Sequence, residues 1–340
     1  MSTPEAPTVT PERIMQFTWG YAPPLIIEAA LRHGIFDLLD KGPKTAEEVA
    51  AACGASQRGV KIIMNALTGL QLLAKDSAAK YALTPESAAF LVSTKPGFQG
   101  GVLRHMSAQL IPKWLRLSEI VRTGKPEISV SSESSGPVFF QQFVEDIFPM
   151  SYPAAKALAA HLKLGSAEKP VSVLDLAAGS GVWGIGLAQN SPNVSVTAVD
   201  WPDVLRVTQR VVERFGLTRQ FRFVPGDLAD ADFGARYDVA ILGQILHSEG
   251  ARKSRELLRK VFQALAPGGT VAIGEFLVNE NRTGPAMGLI FAVNMLVNTD
   301  EGDTFSIEDI SGWLREAGFE DPRTLDSPGP SPLILANKPK

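Results

Sequence analysis

VSVLDLAAGSGVWG, residues 171–184, opens as a short apolar run in which Val and Leu alternate, the composition of a buried strand. It breaks at Ala177-Ala178-Gly179-Ser180-Gly181, where small residues let the backbone turn tightly and approach a ligand. It resumes as Val182-Trp183-Gly184-Ile185-Gly186-Leu187-Ala188, a helix start. Strand, glycine loop and helix form the opening of a nucleotide-cofactor domain, because the loop N–H groups and the helix N-terminus sit at the C-terminal edge of a parallel sheet. Gly179, Gly181 and Gly184 satisfy G-x-G-x-x-G, and Asp200 follows at the end of the next strand. Two ligands fit this pattern, a dinucleotide pyrophosphate and the methionine end of S-adenosyl-L-methionine. Asp175, four residues before Gly179, separates them. Its charge repels a pyrophosphate and favours the ammonium and sulfonium of the second ligand.

Downstream, strands alternate with helices, the pattern of a doubly wound α/β sheet. Strands are expected over residues 194–199, 221–224, 237–242 and 270–276, the last preceded by the turn Ala266-Pro267-Gly268-Gly269. Asp200 can accept from both hydroxyls of a ribose, and Asp227 stands where a carboxylate accepts from an adenine amino group. The fourth and fifth strands should be neighbours, which brings His247 and Glu275 to one edge, on the cofactor side. An apolar helix over 287–297, a loop over 298–304 and a helix capped by Ser306 follow. Residues 323–325 and 332–336 suit an edge hairpin.

Ahead of the sheet lies a differently built region. Residues 1–12 read as a polar, proline-containing disordered tail. Residues 14–39 have helical apolar spacing broken at Gly34, richer in apolar positions than one buried stripe needs, so part of this helix is expected to meet a partner chain. Thr45 and Glu48 form a capping box, Ser56 starts a second helix, residues 72–74 and 80–83 flank a turn at Asp76-Ser77, and Thr84-Pro85 opens another helix. Two helices and a hairpin make a winged-helix layout over residues 13–100. Arg58 and Lys61 are the only basic residues of its second helix and Glu47 and Glu48 precede it, a poor match to phosphates, so dimerisation is preferred to DNA binding. Residues 101–165 look helical and loop-broken, with Trp114 and a set of Phe139, Phe140, Phe143, Phe148 and Met150. These build either interdomain core or a wall for a flat apolar substrate; Trp114, Phe143 and Met150, with Phe291 and Met295 from the 287–297 helix, are the pocket candidates.

Bulk composition bounds the function. Across 340 residues, 45% hydrophobic and 20% charged content is ordinary for a globular protein, and a net charge of −3 argues against a general nucleic-acid surface. Cys53 is the only cysteine, which excludes a disulfide framework and a cysteine-based metal site; no metal is implied. The N-terminus is unlike a signal peptide and no apolar run reaches membrane-spanning length, so a cytoplasmic protein is expected.

In order and spacing, the 13–100 layout, LDLAAGSG, VDWPDVL, PGDL, ILH, APGGTVAIGEF and WLREAGF together resemble the S-adenosylmethionine-dependent small-molecule O-methyltransferases of the plant caffeate/isoflavone and bacterial antibiotic type. The likeness runs from about residue 14 to 336. It implies a Rossmann-like class I methyltransferase domain over 166–340, a winged-helix-like dimerisation domain, a homodimer and a small-molecule acceptor. By resemblance, the glycine-loop contact falls on Gly179, the ribose acid on Asp200, the adenine pair on Asp227 and Leu228, the catalytic base on His247 and its orienting acid on Glu275. Three departures stand out: Ser248-Glu249 follows the histidine where the plant enzymes carry an acid and an aromatic, Gly243 replaces a cofactor-contacting lysine, and Thr304 replaces a second orienting acid. The sequence looks closer to a bacterial branch of polyketide, phenazine and pigment methylases, which leaves a carbon or nitrogen acceptor as the alternative to a hydroxyl. The rivals from other classes are a nicotinamide oxidoreductase and a winged-helix regulator.

Overall fold

A seven-stranded sheet of order β6-β5-β4-β7-β8-β10-β9 organises residues 109–340. The computed structural model describes residues 9–131, 134–141, 143–329 and 331–340, so most of the expected N-terminal tail lies outside the described residues. Strands β4 (Val171–Leu176), β5 (Val194–Asp200), β6 (Phe221–Pro225), β7 (Tyr237–Gly243) and β8 (Leu265–Gly274) run parallel. β10 (Leu333–Asn337) pairs antiparallel with β8, and β9 (Glu320–Leu325) pairs with β10. The expected C-terminal hairpin therefore has β9, not β10, at the edge.

Most of β4 and β7 is buried, which is why they read as mainly apolar runs interrupted only by Ser172, Asp175 and Asp238. Helices α12 (Val182–Ala188) and α13 (Pro202–Arg214) join one core cluster with α11 (Phe148–His161), whereas α14 (Leu246–Ala264) and α16 (Ile307–Ala317) join another. The direction in which strands are added reverses between β4, which leads outward to β5, and β7, which leads the other way to β8. This switch point opens a crevice at the C-terminal strand ends, and the glycine loop and His247 flank it. β8 begins earlier than expected: Leu265 pairs with Tyr237, the four turn residues bulge out, and pairing resumes at Thr270. It also ends at Gly274, which leaves Glu275 and Phe276 just past the sheet edge.

Residues 1–108 form the other compact unit. Helices α1 (Glu12–Phe17), α2 (Ala22–Arg32) and α3 (Ile35–Leu39) replace the single broken helix expected there. The extra break precedes Pro23-Pro24, which lack N–H groups and suit a first helical turn. Within the 14–39 stretch the surplus apolar surface lies at the N-terminal end. Ala30, Ile35, Phe36 and Leu39 are buried in this unit's own core, whereas Ile14, Met15, Phe17, Trp19 and Tyr21 are exposed. The capping box opens α4 (Ala46–Cys53), Ser56 caps α5 (Gln57–Gly69), and β2 (Leu73–Lys75) pairs with β3 (Lys80–Leu83), with a short β1 (Lys44–Thr45) added alongside β3. After α6 (Pro85–Phe90), α7 (Gly100–His105) packs on α2, so the division falls after Ala108, later than the residue-100 boundary drawn from the sequence.

Candidate active site

The loop after β4 turns through left-handed backbone at Ala177, Gly179 and Gly181, with φ of 52°, 56° and 77°. Gly181 also has no room for a side chain, because a Cβ there would stand 2.9 Å from the Thr208 methyl. Thr208 of α13 fastens the loop by donating to the Gly179 carbonyl at 2.7 Å. From β5, Asp200 accepts from Gly179 N–H at 2.8 Å and from Trp201 N–H at 2.7 Å. Trp201 then extends the chain of contacts, its indole N–H donating to Asp227 at 3.1 Å while Ala229 N–H donates to the other Asp227 oxygen at 2.9 Å. Leu228 is half-buried against the second core cluster, and Lys260 ties down its carbonyl at 2.7 Å. Gly179, Asp200 and Asp227 are thus brought together, with Trp201 and Thr208 as supports the sequence reading had not singled out.

Asp175 differs from the expectation. It is fully buried in β4, beneath the loop rather than in it, and accepts from Gly184 N–H at 2.9 Å with its second oxygen unpartnered. Burial pushes its carboxyl up to about 7, partly offset by the Gly184 hydrogen bond, and nearby Asp200 adds repulsion. An acid whose ionised form is disfavoured by burial weakens the electrostatic separation argued from the sequence. Burial likewise lifts Asp200 to about 6 against its two backbone donors, with Asp227 repelling it further. A cationic ligand beside this edge would draw both acids toward their ionised forms.

Gly243, at the end of β7, is occupied by packing. A Cβ there would stand 1.9 Å from the Trp183 indole nitrogen, and one on Gly274 would stand 2.9 Å from the same ring. The buried Trp183 lies across the ends of β7 and β8, so a side chain at position 243 would collide with its indole. Of Gly243, only the backbone could serve.

Across the crevice, His247 Nδ1 lies 2.6 Å from Glu275 Oε2. The other Glu275 oxygen accepts from the backbone N–H groups of Leu246 (2.7 Å) and His247 (3.3 Å). Glu275 is 4% exposed and His247 8%. An Nδ1–H donated to a carboxylate leaves Nε2 as the acceptor, and Nε2 has no hydrogen-bond partner among the described residues. α14 is broken at Gly250, and the backbone N–H of Asp303 donates to the His247 carbonyl at 2.9 Å, tying the loop after α15 (Ala286–Asn298) to this turn. Thr304, in that loop, is buried with its hydroxyl unpartnered.

The pocket candidates separate. Phe291 of α15 meets the His247 ring edge-on at 4.9 Å and stacks on Phe276 at 4.1 Å. Met295 is buried one turn further along α15, and Trp114 of α8 (Ile111–Trp114) donates to Asn294 of α15 at 3.1 Å. Phe143 packs with Phe139 and Phe140, and Phe140 also approaches Trp201 at 6.0 Å. Phe148 turns away to stack on Tyr152 and Phe215, and Met150 is 42% exposed.

The chain matches the O-methyltransferase domain family over residues 114–320 and the O-methyltransferase dimerisation domain over residues 15–93. It is 30% identical to the tetracenomycin polyketide synthesis 8-O-methyl transferase TcmO of Streptomyces glaucescens, over 99% of this chain and all of that one. It is also 30% identical to the 3-hydroxy-5-methyl-1-naphthoate 3-O-methyltransferase of Streptomyces sahachiroi, covering 92% of this chain and 91% of the relative. Among solved structures, a putative O-methyltransferase from Nostoc punctiforme superposes with a TM-score of 0.88 at 27% identity, covering 97% of this chain and 100% of the other. No helix of the described residues is long and apolar enough to cross a membrane. The nicotinamide and regulator readings are set aside: the chain belongs to the O-methyltransferase family and is an S-adenosylmethionine-dependent methyltransferase that carries the family's dimerisation domain.

Proposed function

We propose that the protein methylates a hydroxyl of a small aromatic or polyketide-like metabolite, with His247 as the general base. The observation that carries this reading is the buried His247–Glu275 pair at 2.6 Å, with imidazole Nε2 free of any described partner. A phenol has a pKa of about 10, so roughly one molecule in a thousand is ionised at neutral pH. An imidazole held in one tautomer by a buried carboxylate removes that proton as the oxygen attacks. S-adenosylmethionine supplies the methyl group and departs as a neutral thioether, so alignment and a nucleophile matter more than leaving-group help. On the cofactor side, Gly179, Gly181 and the Gly243 backbone would line its site; Asp200 would take the ribose hydroxyls, Asp227 and Leu228 the adenine, and Asp175 would add charge beneath the loop. Phe291, Met295, Trp114 and Phe143 are the acceptor walls in this reading; exposed Met150 is the weakest member of that set. The two 30%-identical relatives are named for a polyketide and a naphthoate acceptor, which favours a fused aromatic here.

Homodimerisation through the N-terminal unit belongs to the same proposal, supported by the dimerisation-domain match and by the exposed apolar residues between Ile14 and Tyr21. Incubation with S-adenosylmethionine and a panel of hydroxylated, aminated and carbon-acidic aromatics tests the reaction, with the methylated atom identified by mass spectrometry and NMR. O-methyl products are expected. Products methylated only on nitrogen or carbon would overturn the hydroxyl assignment.

A further inference from the structure

One face of α15 joins His247 to a cation, Lys113, that has no carboxylate partner among the described residues. Residues three, four and seven apart lie on the same side of a helix, so Phe291, Asn294, Met295 and Asn298 share a stripe. At its start Phe291 touches the His247 ring. Seven residues later, about 10 Å along the axis, Asn298 accepts from the Lys113 ammonium at 2.9 Å. Between them Asn294 accepts from Trp114 and Asn298, while its own Nδ2 meets no acceptor among the described residues.

Lys113 is half-buried and pairs with no carboxylate among the described residues. Its ammonium sits 4.6 Å from the centre of the Phe139 ring, and desolvation holds its pKa below the ordinary lysine range. Asn298 takes up one of its three donors. Lys113 borders a cavity of about 70 Å³ that Ile120, Ile128 and Val297 also line. Arg116 and Glu127 stand at the same cavity, 3.7 Å apart, and largely neutralise each other, so Lys113 supplies the net charge. A desolvated cation without a counter-charge is unfavourable unless a ligand brings one.

We propose that Lys113, helped by Asn294, reads a carboxylate on the acceptor at the end remote from the hydroxyl that faces His247. The acceptor class is then a hydroxylated aromatic acid of two or more rings. This deepens the methyltransferase reading and rests on it.

The test compares a hydroxynaphthoate, with acid and hydroxyl at opposite ends of the rings, with its methyl ester. The full-length enzyme is expected to prefer the acid in kcat/KM by about ten- to a hundredfold, the range of a charge-assisted hydrogen bond. Lys113→Gln should collapse that ratio toward one, and Lys113→Arg should restore part of it. If Lys113 only tethers α8 to α15, Lys113→Gln lowers both substrates alike and leaves the ratio intact, which overturns the proposal. A wild-type enzyme that methylates the ester but neither turns over nor, by calorimetry, binds the acid also overturns it, while the hydroxyl methyltransferase reading survives. Methylation of neither compound, with no binding of the acid, overturns the acid-reading subsite; if uncharged hydroxyarenes also fail, the methyltransferase substrate reading falls with it.

Discussion

On either side of the switch point the sheet edge holds carboxylates in opposite ways. On the β4–β5 side, Asp175 and Asp200 are bonded only by backbone N–H groups, and burial raises them to about 7 and about 6. On the β7–β8 side, Glu275 spends one oxygen on two backbone N–H groups and the other on the His247 ring. Neutral donors leave the first pair short of positive charge, a vacancy that suits a cationic ligand. The second acid already has its partner, and that partner is a base. The two sides thus differ in what they offer a ligand: buried acids bonded only by neutral donors on one, and an imidazole held by a carboxylate on the other.

The comparison breaks most visibly at His247. His247→Ala should lower kcat by roughly 10²–10⁴-fold, the usual cost of removing a general base. Calorimetric affinity for S-adenosylmethionine should stay nearly constant, because in the proposed role the imidazole faces the acceptor. Near-normal turnover in this variant would reduce His247 to a packing residue. Glu275→Gln should cost less, since the amide leaves the base in place while loosening its tautomer and orientation.

On the cofactor side the expected effect is on binding. Asp200→Ala should weaken cofactor affinity about ten- to a hundredfold, from lost charge-assisted hydrogen bonds worth roughly 1.5–3 kcal/mol. It also strands the Gly179 and Trp201 N–H groups that now bind this carboxylate. The wild-type protein should bind the cofactor more weakly as pH falls through about 6, because the ligand favours ionised Asp200 and protonation must be reversed first. A pH-independent affinity from about pH 5 to pH 8 would contradict this.

Gly243→Ala probes the boundary between the two sides. The Trp183 indole must move to admit a methyl group, and overpacking of this kind costs about 1–3 kcal/mol. Denaturant unfolding should show the loss, and Trp183→Phe in the same background should recover part of it. Additive effects of the two substitutions would mean that the indole does not fill the position.

Asp175→Asn sharpens the contrast with a change of slope. Asp175 titrates near 7 in the folded protein and near 3.8 when unfolded, so the native state binds the proton more tightly. Its contribution to stability is full below the unfolded value and is lost as pH rises through about 7. The asparagine variant, still able to accept from Gly184 N–H, should lose that decline in a series of unfolding curves. An unchanged slope would show that Asp175 is ionised throughout.

Much of the site is legible because its parts are local. The turn between Leu176 and Val182 follows from glycines whose backbone conformations other residues resist, and apolar runs place β7 and the central part of β8, although β8 starts ahead of the Pro267 turn and stops at Gly274. Once those strands are neighbours, His247 and Glu275 must share an edge. The caps at Thr45, Ser56 and Ser306 are equally local, each a side chain meeting a backbone N–H three residues on. Periodicity cannot register where a helix is interrupted for lack of a partner N–H, so the break between α1 and α2 escaped it. Nor can it tell which part of an apolar stretch meets its own core: α2 and α3 do, and the exposed part is Ile14–Tyr21.

By itself the sequence determined the order of strands and helices, the glycine loop, the acids after each strand and the histidine with its carboxylate. These depend on residues near one another in the chain or on the rule that successive parallel strands align their C-terminal ends. Only the tertiary structure decided that Trp183 fills the place above Gly243, that Asp175 lies beneath the loop with its carboxyl pushed up by burial, and that α15 sets Phe291 against His247 and Asn298 against Lys113. Each of those pairs residues from different elements, and a pKa or a steric clash is fixed by what surrounds a group in space.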